Sequence, residues 1–174
     1  MADFVIVPLT ASPQTLDALA AILVETVAAG GSEHFLYPLA QADARGFWDK
    51  AFAAASRGER INLGAYDGDA LVSTVSLLLD TPPNQQHRAE IGKMMTHPSH
   101  RGRGAAAALL AEAERLAVAR GRTLINLDTA ADDGGAPLYE KMGYVFAGEI
   151  PGFAYKPHGG LTATRIYWKK LGAA

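Results

Sequence analysis

The sequence predicts one mixed α/β domain over residues 1–174, a sheet covered by helices on both faces, and three observations carry that reading. Apolar residues at helical spacing alternate along the chain with short β-branched runs at strand spacing. Asp67-Gly68 separates two such runs, a strong hairpin signal. No repeat or linker interrupts the pattern, and a chain of this length can bury a core without a disulfide or structural metal.

Taken in order, Phe4-Val5-Ile6-Val7 predicts a strand that Pro8 helps to end. Ser12 is a candidate N-cap with Pro13 in the first turn, and Leu16, Leu19, Ala20, Leu23 and Val27 form an apolar stripe that stops at Gly30-Gly31. A second stripe runs through Phe47, Trp48, Ala51, Phe52 and Ala55 to Gly58. The period then changes to that of strands over Ile61–Tyr66, Leu71–Leu77 and Arg88–Thr96. Ala105–Ala119 is rich in good helix formers and closes at Gly121. A strand at Thr123–Leu127, a short helix over Pro137–Met142, and strands at Tyr144–Phe146 and Ala163–Lys169 complete the chain.

Composition narrows the function. Without cysteine, a thiolate nucleophile, a disulfide framework and a cysteine zinc site are excluded. A net charge of −2 speaks against nucleic acid or an anionic membrane surface as partner. Asp3 stands where an export signal would place basic residues, and no apolar run approaches the roughly 20 residues of a membrane span, so a cytoplasmic protein is expected. His97 and His100 have Pro98 between them and no third ligand in sequence, so no metal site is expected.

The basic residues matter locally. His100-Arg101-Gly102-Arg103-Gly104-Ala105-Ala106 lies between a strand and the N-terminus of the long helix, where unpaired backbone N–H groups and the helix dipole favour an anion. A solvated turn is the plainer alternative. A dinucleotide fingerprint fits Gly102, Gly104 and Ala107 in spacing, with Asp128 about 20 residues on, but such fingerprints follow the first strand of a parallel domain, and here a hairpin leads in.

Arg101-x-x-Gly104-x-Ala106 resembles the Q/R-x-x-G-x-G/A motif of the GNAT N-acetyltransferase superfamily, and Leu138-Tyr139-Glu140-Lys141-Met142-Gly143-Tyr144 follows where that family has a matching segment. Further pieces, among them Arg88-Ala89-Glu90, Leu127-Asp128-Thr129 and Pro151-Gly152-Phe153, are similar to the tabtoxin-resistance branch of that superfamily. The resemblance implies a mostly antiparallel sheet with a V-shaped splay between strands 4 and 5. It implies acetyl-CoA as cosubstrate, with pantetheine against the backbone of Met94, Met95 and Thr96 and the pyrophosphate on the amides of Arg101, Gly102, Arg103, Gly104, Ala105 and Ala106. Asp132 stands where many members carry a cofactor-contacting Asn.

Acetyl transfer to an amine needs a neutral nucleophile, so a group must accept the ammonium proton. Glu90 is the first candidate and Asp128 the second; either could instead hold the cationic amine, and each could be a plain surface carboxylate. The resemblance places Tyr139 where the departing thiolate is protonated, although spacing alone would make it a core aromatic. The acceptor pocket is expected from the loops Gly30–Tyr37, Pro82–Arg88 and Pro151–His158, with Glu33, His34, Tyr37, Phe153 and Tyr155 as substrate-binding residues. A small-molecule amine, such as an amino-acid-like toxin, is the expected acceptor, for a monomer or homodimer. A non-catalytic acyl-CoA-binding module and a peptide acetylase are the alternatives.

Overall fold

The computed structural model describes residues 4–172, so Asp3 lies outside the described residues. The elements are β1 (Val5–Pro8), α1 (Pro13–Ala28), α2 (Gln41–Ser56), β2 (Arg60–Asp67), β3 (Ala70–Leu78), β4 (Arg88–Thr96), α3 (Ala105–Ala119), β5 (Leu124–Ala130), α4 (Ala136–Lys141), β6 (Val145–Tyr155) and β7 (Leu161–Lys170). They build a seven-stranded sheet in the order β1-β2-β3-β4-β5-β7-β6. Only β4 and β5 run parallel.

Local chemistry sets the helix starts. Ser12 caps α1 by accepting a hydrogen bond from the Thr15 amide at 3.0 Å, with Pro13 in the first turn where a missing N–H is harmless. Strand alternation then sorts the side chains onto two faces. Leu63, Ala65, Val75, Leu77, Ala89, Ile91, Ile125 and Leu127 pack with Leu109, Leu110 and Ala113 of α3. On the opposite face Leu16, Leu19 and Leu23 of α1 pack against Trp48 and Phe52 of α2, with Met95 beneath them. Two separate cores on one sheet are what helices on both faces require.

β5 extends to Ala130 and β6 to Tyr155, both longer than the sequence pattern suggests. Pro151 therefore sits inside a strand. β6 lies at the sheet edge, where a residue without an N–H costs little, and the pairing with β7 is irregular between Ile150 and Ala154. Among the described residues no helix is long and apolar enough to cross a membrane.

Candidate active site

β4 and β5 pair at only three positions, Arg88 with Leu124, Ala89 with Ile125, and Glu90 with Asn126. Beyond Glu90 the strands part, while β4 keeps β3 and β5 keeps β7 as neighbours. The opening is the mouth of a cleft of about 960 Å3. Because the sheet is split there, side chains from both faces meet: Glu33 from the α1–α2 connection and Tyr139 from α4 line the same cavity.

One end is a backbone cradle. Gly102 and Gly104 have φ of +74° and +98°, a left-handed conformation that side-chain-bearing residues avoid, and a Cβ on either would meet no atom within 4 Å. Gly104 is the N-cap of α3 and offers no side chain to its first amides, so these N–H groups stay available to an anion. Arg101 Nε donates to the Thr96 carbonyl at 3.2 Å, and the β2–β3 turn holds the loop from the other side through Asp67, 2.8 Å from Arg103 and 3.5 Å from His100.

The other end carries the titratable groups. Ala89 and Ile91 face α3, so Glu90 points to the opposite side, as Asp128 does beside the buried Leu127. Glu90 lies 3.6 Å from Arg88, and Asp128 accepts a hydrogen bond from Thr164 at 2.9 Å. Glu33, 18 % exposed, is 3.9 Å from Lys93, 9 % exposed. Burial pushes the Glu33 carboxyl up to about 7 against the opposing pull of Lys93, and burial also lowers the Lys93 ammonium. His34 is lowered mainly by the neighbouring Lys93 charge, with burial second. Tyr139 is buried, and desolvation, reinforced by Glu33 and Asp128, holds its phenol well above its ordinary value.

The model of the Acetyltransferase (GNAT) family matches residues 30–144. The chain belongs to the GNAT acetyltransferase family. Among solved structures it is similar to the N-acetyltransferase from Staphylococcus aureus Mu50, at 18 % identity and TM-score 0.82, covering 98 % of this chain and 99 % of that one. The GNAT phosphinothricin acetyltransferase from Sinorhizobium meliloti in complex with acetyl-CoA aligns at 19 % identity and TM-score 0.82, over 99 % of this chain and 90 % of that one. YncA from Salmonella typhimurium, solved with its cofactor acetyl-CoA, aligns at 14 % identity and TM-score 0.75, over 97 % and 95 %. At these identities the likeness is one of fold.

The residues of this cleft fit the acetyl-CoA that two of those structures hold: Gly102 and Gly104 carry no Cβ, the first amides of α3 have no side-chain cap, and the splayed edge of β4 leads away from them. Met94, Met95, Thr96, Arg101, Gly102, Gly104, Ala105, Ala106, Asp132, Glu33, His34, Phe153, Glu90, Asp128 and Tyr139 all line the cleft.

Three expectations need correction. Arg103 turns away from the cleft, paired to Asp67 and stacked over the Phe4 ring at 5.4 Å, so only its backbone is left for phosphate. Tyr37 and Tyr155 line a second cavity of about 510 Å3 beside His158: β6 continues past Pro151 and carries Tyr155 away, while Tyr37 is held by the Pro157 carbonyl at 3.0 Å and by the His158 ring. The 82–88 loop contributes nothing to the cleft, since Arg88 turns to Gln85 and Asn126. Asp132 keeps its place on the cleft wall, its carboxylate engaged by Thr162 at 2.6 Å and by Lys156, which ties the β5–α4 loop to the last hairpin. The sequence reading missed Lys93, Arg60 and Asp133, which also line the cleft. A lone lysine in the apolar run Ile91–Met95 was the one visible sign.

Proposed function

We propose that the chain, as a single acetyltransferase domain, moves the acetyl group of acetyl-CoA onto an amine of a small molecule by direct attack, in the cytoplasm. The observation that carries this reading is one continuous cleft with a glycine cradle at one end and Glu90, Asp128, Glu33 and Tyr139 at the other. Acetyl-CoA would supply the activated acetyl group, with the amides of 101–106 and the backbone of 94–96 holding it. Glu90 accepts the ammonium proton, directly or through one water, and Asp128 across the split holds the amine's charge nearby. The raised Tyr139 keeps its proton through the physiological range, so its hydroxyl acts first as a hydrogen-bond donor on the leaving side of the reaction and only then as an acid.

The acceptor is read as small and polar, with an amino-acid-like toxin such as tabtoxinine-β-lactam as the sharper form. The acidic side chains of Glu90 and Asp128 suit a cationic amine. The test is thiol release from acetyl-CoA across tabtoxinine-β-lactam, phosphinothricin, amino acids, polyamines, aminoglycosides and short peptides. Turnover of one or more small amines is expected. Release with peptides alone would replace the small-molecule reading, and acetyl-CoA binding without release from any amine would favour a non-catalytic module.

A further inference from the structure

His34 and Lys93 are the two non-glycine residues with positive φ among the described residues, at 67° and 51°. Side chains disfavour that region, and such outliers persist where the surroundings hold them for a purpose. Here the two outliers meet: Lys93 Nζ donates to His34 Nδ1 at 3.0 Å, the only sense an ammonium allows. The Lys93 outlier sits where β4 slips its register against β3 between Thr74 and Ser76, so a local irregularity of the strand aims the side chain into the cleft.

The ammonium so placed is poorly neutralised. Its nearest carboxylate, Glu33, is 3.9 Å away and pushed up to about 7, so a large share of Glu33 is uncharged at neutral pH. A second cation faces the same space. Register places Arg60 opposite Leu78 and Leu78 opposite Glu90, so all three stand on one face, with Arg60 and Glu90 two strands apart, about 10 Å. Arg60 lines the cleft, its Nε is buried without a hydrogen-bond partner, and its charge is felt at Lys93. A buried N–H of a guanidinium left without an acceptor is costly unless a ligand completes it.

The acceptor end therefore presents a carboxylate side, Glu90 with Asp128, and a cationic side, Arg60 with Lys93. We propose that Arg60 and Lys93 form a recognition site for a carboxylate on the acceptor, positioned by His34, so that the enzyme selects amines that carry a carboxylate over those that lack one. This rests on the acetyltransferase reading and deepens it by naming the group that decides specificity.

The test uses matched pairs, each common L-amino acid with its primary amide, which keeps shape and amine and removes the negative charge. Thiol release is measured in steady state, and the best pair is titrated calorimetrically into the protein with CoA bound. Wild type is expected to favour the acid by ~100-fold. Arg60→Gln and Lys93→Gln are each expected to shrink that preference by ~10-fold or more through KM, while Lys93→Arg retains most of it. Amides that match the acids in rate and in affinity, or pairs of which neither member binds or reacts, overturn the proposal. Thiol release from another amine in the same series leaves acetyl transfer standing in that event. A binding preference for acids without any thiol release supports the anion site and sinks the acetyl-transfer reading instead.

Discussion

β4 carries Glu90 and Lys93 toward the acceptor end of the cleft and leads through Thr96 into the Arg101–Gly104 turn at the other end, yet the two ends are built differently. At the glycine turn the groups on offer are backbone amides, and the notable side chains are the missing ones of Gly102 and Gly104. At the opposite end the groups on offer are side chains from the α1–α2 connection, β2, β4, β5 and α4, brought together because the sheet is split. A backbone site is sensitive to one added Cβ and indifferent to many side-chain changes. A side-chain site depends on distances between elements far apart in sequence.

The sharpest way to break the comparison is Gly104→Val. A φ of +98° is one that a β-branched residue resists, so the turn and its amides must rearrange, and acetyl-CoA affinity is expected to fall on the order of 1,000-fold by calorimetric titration. An affinity within a fewfold of wild type would move the nucleotide elsewhere. Tyr139→Phe, at the other end, should cut kcat by ~100-fold with little change in the affinity for acetyl-CoA. An undiminished kcat would leave Tyr139 as the core aromatic that its contacts with Tyr144 and Tyr167 also support.

Glu33 offers a readout in stability. Its folded pKa, about 7, lies above the unfolded value of 4.5, so between those values the native state binds more protons than the unfolded one and loses stability as pH rises. The loss from pH 5 to pH 8 is on the order of 2 kcal/mol, and Glu33→Gln should remove it. Chemical denaturation of both proteins at the two pH values measures the difference; identical pH slopes would mean that Glu33 is not held in the desolvated position described. The smallest effect is expected from Arg103→Ala. Its guanidinium is engaged by Asp67 on the surface, so acetyl-CoA affinity should stay within about threefold. A large loss would show that Arg103 swings back to the phosphate.

Legibility follows the same division. The cap at Ser12, the Asp67-Gly68 hairpin and the Gly-Arg turn before α3 are local patterns, and each stands in the structure where the sequence puts it. Pro151 and Gly152 read as loop residues, although an edge strand tolerates both and here carries Tyr155 away from the cleft, and Tyr37 follows the last hairpin through its contacts with Pro157 and His158. Lys93 and Arg60 went unnoticed for a related reason. Nothing in a strand sequence announces a shifted register or a lysine at positive φ, and Arg60 lies 30 residues from Glu90, with which it shares a sheet face.

What the amino-acid order determined alone is what lies within reach of a few neighbouring residues: the cap at Ser12, the turn glycines, strand alternation and the glycine-arginine turn before α3. The tertiary structure decided which of the charged residues share a space, because that depends on where β4 and β5 stop pairing, on the register that stacks Arg60, Leu78 and Glu90, and on the desolvation that burial imposes on Glu33, Lys93 and Tyr139. Those are sums over contacts distant in sequence, and no local pattern encodes them.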